Sequence, residues 1–170
     1  MARDPLPQLL GAVALAATDR VRAAVDTPLG RAGAHAAALI HIQAYPGRPV
    51  GALAPVLGIS QPAAVKLADR LVTDGLLERG PGPDGRTGSL RLTTSGERAA
   101  RAALADRSGV LERVLEPLDP EDRERLLPLL AKLVAGLTDT RPGALTVCRM
   151  CDRDSCCGQP TGCPLQHTVR

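Results

Sequence analysis

Apolar residues recur at helical spacing from the start of the chain. Leu9, Leu10, Val13, Ala17 and Val21 line one face of a helix opened by Asp4-Pro5, a cap followed by proline, and running to about Val25. Thr27-Pro28-Leu29-Gly30 is expected to break it. A second helix is predicted from Gly33 to Ala44, carrying Leu39, Ile40 and Ile42 and stopped by Tyr45-Pro46-Gly47. Val50 to Leu57 reads as a short helix, with Gly58 placed as a C′ glycine. Ser60 then caps another, with Pro62 tolerated in its first turn. Leu67, Leu71 and Val72 share one face of it, Lys66, Asp69 and Arg70 lie on others, and it ends near Asp74-Gly75. Two short helices joined by a tight glycine-containing turn form a helix-turn-helix pattern.

The period then switches. "LLERG" and "SLRLT" read as strands flanking the turn-rich "PGPDG", which predicts a hairpin with a charged tip. Thr94 with Glu97 three residues on suggests a capping box for a long helix from Ser95 to about Glu116. Asp119-Pro120 opens a last helix to about Thr138. Leu126, Leu127, Leu130, Leu133, Val134 and Leu137 give that helix a broad apolar face, and Pro128 inside it predicts a kink. Arg141-Pro142-Gly143 is read as a separator before a cysteine-rich end. The fold class expected is mainly α with one small β-hairpin.

Composition narrows the choice of core. The 170 residues are 44% hydrophobic, yet Tyr45 is the one aromatic residue. Ala, Leu and Val must fill the interior, which favours closely packed helices over an aromatic-rich sandwich. A net charge of +3 is mild, so any nucleic-acid role must come from local placement of cations. The apolar run near the start follows Asp4 and two prolines and continues into a charged helix, unlike a leader. No run of 18 apolar residues suggests a membrane span. A cytoplasmic protein with reduced thiols is expected. No nucleophile triad, phosphate-binding loop or dinucleotide fingerprint is present, so an enzyme is not expected.

All five cysteines lie in "CRMCDRDSCCGQPTGCPLQH". A C-x2-C pair puts two thiolates on one tight turn, and two further thiolates from a following loop complete a tetrahedron around Zn2+. The expected ligands are Cys148, Cys151, Cys156 and Cys163, with Cys157 and His167 as alternates. Gly158, Pro160, Gly162 and Pro164 allow the chain to wrap, and metal binding would supply the folding energy of so small a segment. Two other readings stay open. One is a thiol redox or metal sensor, with Arg149 and Arg153 beside the thiols. The other is an iron–sulfur cluster, which four closely spaced thiolates also suit. His35 and His41, single histidines on a helix, read as packing or solvent residues.

The order helix, helix, helix-turn-helix, hairpin, long helix, helix resembles the MarR family of winged helix-turn-helix regulators. "LGISQPAAVKLADRLVTDGLLERGPGPDGR…LRLTTSGE" carries the resemblance most closely. Similar cysteine-bearing tails occur on some family members. The resemblance implies a body over residues 1–140, with dimerisation helices at about 5–25, 95–116 and 120–138. It implies a DNA-binding lobe at about 49–93, followed by a metal-binding tail over 141–170. It implies a homodimeric transcriptional regulator, a repressor, on a pseudo-palindromic operator in double-stranded DNA, with a small-molecule effector possible and no membrane partner. Ser60, Gln61, Ala63, Ala64 and Lys66 are expected on the outer side of the recognition helix. Gln61 suits adenine, Lys66 guanine or phosphate, and Ala63 a thymine methyl. Arg70 is expected to hold the backbone. The family's wing Asp and Arg correspond to Asp84 and Arg86, the latter entering the minor groove, with Arg79 and Arg91 flanking as phosphate contacts. Ala63 and Val65 stand where the family usually has polar residues, so an interaction module without DNA binding is a further alternative.

Overall fold

The computed structural model describes residues 4–29, 34–81, 88–158 and 162–169. Helix α1 spans Leu6–Leu29, longer than the pattern predicts, because the chain passes through Thr27-Pro28 without leaving the helix. Its first turn is capped by Asp4, whose carboxylate accepts from the Leu6 amide at 3.0 Å. The expected stop at Gly30 and start at Gly33 lie outside the described residues. Helix α2 is Ala34–Ala44, and Gly47 takes a positive φ of 79° in the turn that ends it.

A 3-10 turn at Val50–Ala52 leads into α3, Leu53–Leu57, so the single short helix of the sequence reading is a 3-10 turn followed by a short α-helix. Gly58 follows at φ 65°, the left-handed cap the sequence requires. Helix α4 is Gln61–Thr73, with Ser60 as N-cap accepting from Ala63 N. Strands β1, Leu77–Pro81, and β2, Gly88–Leu92, pair antiparallel with Leu77 opposite Leu92 and Arg79 opposite Leu90. A third segment joins this hairpin: Pro49 bridges Ser89, and Leu90 N donates to Arg48 O at 3.0 Å. Pro46-Gly47-Arg48-Pro49 carries no strand signal, so pattern reading misses it.

Helix α5 is Thr94–Leu115, and its cap is Thr93, one residue before the predicted Thr94. Thr93 Oγ1 accepts from Gly96 N at 3.0 Å and donates to Gly75 O at 2.6 Å. Thr93 therefore ties the long helix to the end of α4. Helix α6 is Pro120–Ala135, capped by Asp119, with Pro128 inside it. Arg123 joins its start to the end of α5 through Glu112, Leu115 O and Leu118 O.

The main core draws Leu39 and Ile42 from α2, Leu53 from α3, Leu67 and Leu71 from α4, Leu77 and Leu90 from the hairpin, and Ala100 from α5. Small residues, Ala38, Ala64 and Ala68 among them, bring the backbones close enough to close this interior without aromatics. A second cluster, Val25, Ala36, Ile40 and Ala103, joins α1, α2 and α5. The amino-terminal half of α1 and all of α6 stand apart. Leu9, Leu10, Val13, Leu127, Leu130 and Leu133 are exposed, and no described residue of α6 is buried.

The segment read as a separator is a helix. Thr140 caps α7, Arg141–Val147, with Pro142 in its first turn, and α8, Arg153–Cys157, follows under an Asp152 cap. A final 3-10 turn covers Gln166–Val169. This end does not hang free after α6. It folds back on the lobe: α7 packs against α3, Ala144 and Leu165 are buried, and Met150 packs against the second cluster.

Candidate functional site

The outer surface of α4 begins with a cap that fixes its direction. Ser60 Oγ is used on Ala63 N at 3.4 Å, so its hydroxyl belongs first to the helix start. Ala64, expected outward, is buried with Leu67, Ala68 and Leu71. Helical geometry explains this, since positions 64, 67, 68 and 71 recur at steps of three and four and form one stripe. Gln61, Pro62, Ala63, Val65, Lys66, Asp69 and Arg70 are exposed.

Several polar groups on this surface are engaged within the chain. Gln61 Nε2 donates to Gly51 O at 3.2 Å, bracing α4 against the 3-10 turn. Arg79 of β1 reaches across to Asp69 of α4, so a cation expected on phosphate carries a local carboxylate. Arg70 pairs with Asp74 at 3.1 Å. Both pairs are exposed, where such contacts are weak and exchange readily for a phosphate. Arg91 is exposed on β2 with its guanidinium near Gly47. Asp84 and Arg86, the predicted hairpin tip, lie outside the described residues.

The cysteine-rich end brings thiols together. Cys151 donates a hydrogen bond to Cys148, which pulls the Cys148 thiol below its ordinary range and pushes Cys151 up; burial adds to the rise. Burial, then the nearby Cys151, pushes Cys156 up. Burial, then the nearby Cys163, pushes Cys157 up. All five cysteines are free thiols. Among the described residues, no group of three or more His, Cys, Asp or Glu side chains is placed to hold a metal ion. The donor chemistry and the neighbourhood suit a thiolate-bound ion: the thiols hydrogen-bond in a chain that runs from Cys148 through Cys151, Cys156 and Cys157 to Cys163. His167 is turned to other work, with Nδ1 facing Pro164 O at 3.2 Å and Nε2 facing Thr138 O at 3.2 Å.

This cluster borders a cavity of about 240 Å³ between the end of α2 and the tail. Its walls include His41, Tyr45, Arg141, Arg149, Arg153, Cys148, Cys151, Cys157 and Cys163. The Arg153 guanidinium lies 4.9 Å from the centre of the Tyr45 ring, and Arg141 reaches the Tyr45 hydroxyl. Thr146 Oγ1 donates to Pro55 O at 2.9 Å, so α7 is hydrogen-bonded directly to the first helix of the helix-turn-helix. Sequence reasoning missed α7 as an element. Its start signal, Thr140 with proline two residues on, resembles the Asp119-Pro120 signal that opens α6.

A helix held by one buried stripe, preceded by a short helix and followed by an antiparallel hairpin, can be compared with known proteins. The MarR family profile matches residues 29–87. The structure is similar to the YusO protein of Bacillus subtilis, with TM-score 0.66 and 22% identity over 77% of this chain and 93% of that one. The fold is that of the MarR-like winged helix. The reduced form of MarR from Escherichia coli aligns with TM-score 0.62 and 26% identity, covering 78% of this chain and 98% of that one. A MarR family protein of Mycobacterium tuberculosis, solved in complex with p-aminosalicylic acid, aligns with TM-score 0.60 and 25% identity, covering 76% and 98%. No curated protein matches the sequence. Among the described residues, no single helix is long and apolar enough to cross a membrane.

Proposed function

We propose that this chain is a DNA-binding transcriptional regulator of the MarR type, a repressor that binds a pseudo-palindromic operator as a homodimer in the cytoplasm. The observation that carries this is α4: its amino-terminal half is largely exposed, its inner stripe is buried, and β1 of the hairpin, which carries Arg79, packs beside it. A recognition helix needs that division between a held face and a free one. The exposed apolar faces of α1 and α6 support the homodimer, because a monomer gains nothing from leaving them in water. Two α4 helices on one face of B-DNA must lie about 34 Å apart.

The test is binding to the promoter region beside its own gene, measured against salt. Lys66→Ala and Arg91→Ala each remove one cation proposed to meet a phosphate or a base. Each is expected to weaken binding, and deleting a cation that neutralises one phosphate reduces the salt slope by about 0.9. Slopes unchanged in both variants, and in Arg86→Ala, would remove the DNA-facing assignment and favour an interaction module.

The tail is proposed to bind Zn2+ through Cys148, Cys151, Cys156 and Cys163. C-x2-C spacing and the shared neighbourhood of the thiols support this reading. The ion would supply a fixed link between α7 and α8, in a segment with few buried residues of its own. Because α7 bonds to α3, that link would steady the helix-turn-helix. One observation favours a redox role as a second reading: Cys157 is exposed and lies beside Cys163, within reach of an oxidant and a partner thiol, although its raised pKa keeps it mostly protonated. An iron–sulfur cluster on the same thiols is distinguished by colour. A small organic acid is the proposed effector class, in keeping with the complex of the M. tuberculosis relative.

A further inference from the structure

Base-specific recognition usually rests on amide and guanidinium side chains that make paired hydrogen bonds in the major groove. On α4 those groups are engaged or absent. The Gln61 amide donates to Gly51 O. Ser60 Oγ is the helix cap. Asp69 holds Arg79, and Arg70 is held by Asp74 one turn further on. Besides Gln61, exposed but braced on Gly51 O, the amino-terminal half offers outward Pro62, Ala63, Val65 and Lys66. Val65 is 37% exposed, a β-branched side chain left partly in water at the flank of the surface assigned to DNA.

The apolar group at the major-groove edge of a base pair is the C5 methyl of thymine. Resting on the DNA-binding reading above, we infer that this chain reads its half-site through thymine methyls, with Ala63 and Val65 as the specificity-determining residues. Lys66 supplies attraction that does not depend on which base is present. Ala63 and Val65 point about 200° apart around α4, on either side of its outward face, so each meets a different base pair. A methyl packed against Val65 also removes that side chain from water, which a polar base edge does not do. Burying one methyl is worth about four-fold in binding, so each thymine read this way changes affinity by about that factor.

The experiment is selection of duplexes by the full chain from a random library, run once with thymidine and once with deoxyuridine in its place. Deoxyuridine keeps every hydrogen-bonding group and lacks the methyl. The expected result is a thymidine consensus with thymines at fixed positions in each half-site. Replacing each of those thymines singly by uracil should weaken binding about four-fold. Val65→Ala should abolish the thymine–uracil difference at one position and leave the others; Ala63→Ser should act at a different position. Lys66→Ala should weaken thymidine and deoxyuridine sites equally. Equal affinity for a selected site and its uracil form overturns the inference while leaving DNA binding intact. Retention of no duplex from either library overturns both the inference and the reading beneath it.

Discussion

Replacing Leu130 with Asp tests the proposed dimer where the structure makes the effect calculable. Five apolar side chains at the start of α1, from Leu6 to Leu15, and five along or just after α6, from Leu127 to Leu137, are each 42–69% exposed. Taking that much of a leucine or valine out of water stabilises by roughly 1–1.5 kcal/mol. In a two-fold pair every position counts twice, so the gross gain is on the order of 20 kcal/mol, against about 4–15 kcal/mol lost in association. Leu130→Asp removes two such burials and places two carboxylates in an apolar seam. At about 2 kcal/mol or more per copy, the pair loses roughly 4 kcal/mol, a rise in Kd of about a thousand-fold. Sedimentation velocity across a micromolar range should show a dimer for the parent chain and a monomer for the variant. Circular dichroism should still show a helical protein, because no described residue of α6 is buried within the protomer. A parent chain that sediments as a monomer throughout, or a variant as dimeric as the parent, refutes the reasoning.

Gly96→Ala should lower stability by about 2–3 kcal/mol in urea denaturation, since a Cβ there would meet the Leu76 carbonyl oxygen at 1.9 Å, a backbone atom that cannot step aside. Gly109→Ala, with only an Arg113 side-chain nitrogen at 3.8 Å, should be neutral or stabilise by up to about 1 kcal/mol, and equal effects at both positions would contradict the packing argument. The His41 ring is held below its ordinary pKa by burial and then by Arg48. The unfolded chain therefore takes up that proton first as pH falls below about 6.5, and folded-state stability drops there while remaining whole above it. Thermal melts should show a loss on acidification that His41→Asn reduces; an unchanged pH profile would disprove that assignment. Purified without air, the chain should be colourless with one zinc atom per protomer, lost in Cys151→Ser and kept in Cys157→Ser. A brown protein would instead favour an iron–sulfur cluster.

Much of the body was legible because its signals are local. Gly58 and Ser60 sit where only a left-handed turn and a helix cap fit, and the shift from helical to alternating spacing after Gly75 marks the hairpin. Errors arose where contacts distant in sequence decide. Ala64 is the exception, since its three- and four-residue spacing to Leu67, Ala68 and Leu71 already placed it on the buried stripe. Thr93 wins the cap over Thr94 because its hydroxyl also bonds Gly75 O, eighteen residues earlier. The 46–49 segment pairs with β2 although nothing in Pro-Gly-Arg-Pro favours a strand. At the candidate site, residue type marked the cations; the Arg70–Asp74 pair is local, at i,i+4 spacing, but the engagement of Arg79 with Asp69 depends on how β1 and α4 are juxtaposed.

The tail differs most between sequence and fold, and the difference bears on function. Read along the chain, Arg141-Pro142-Gly143 is a hinge, and the thiols beyond it form an appendage beside the dimer helices. In the folded chain those residues start α7, and Thr146 holds Pro55 of α3 at 2.9 Å while Arg153 covers Tyr45 at the end of α2. Helix α3 has only five residues, and its buried Leu53 and Val56 are what set its angle to α4. An element that short takes its orientation from its neighbours, and α7 is one of them. An event that reshapes the Cys148–Cys151 turn is therefore expected to reach α3, the neighbour of α4, through one hydrogen bond and one buried alanine, Ala144. Thr146→Val tests this step separately from metal binding. It should leave zinc content unchanged and weaken DNA binding; unchanged affinity would mean that α7 rests on α3 without steering it.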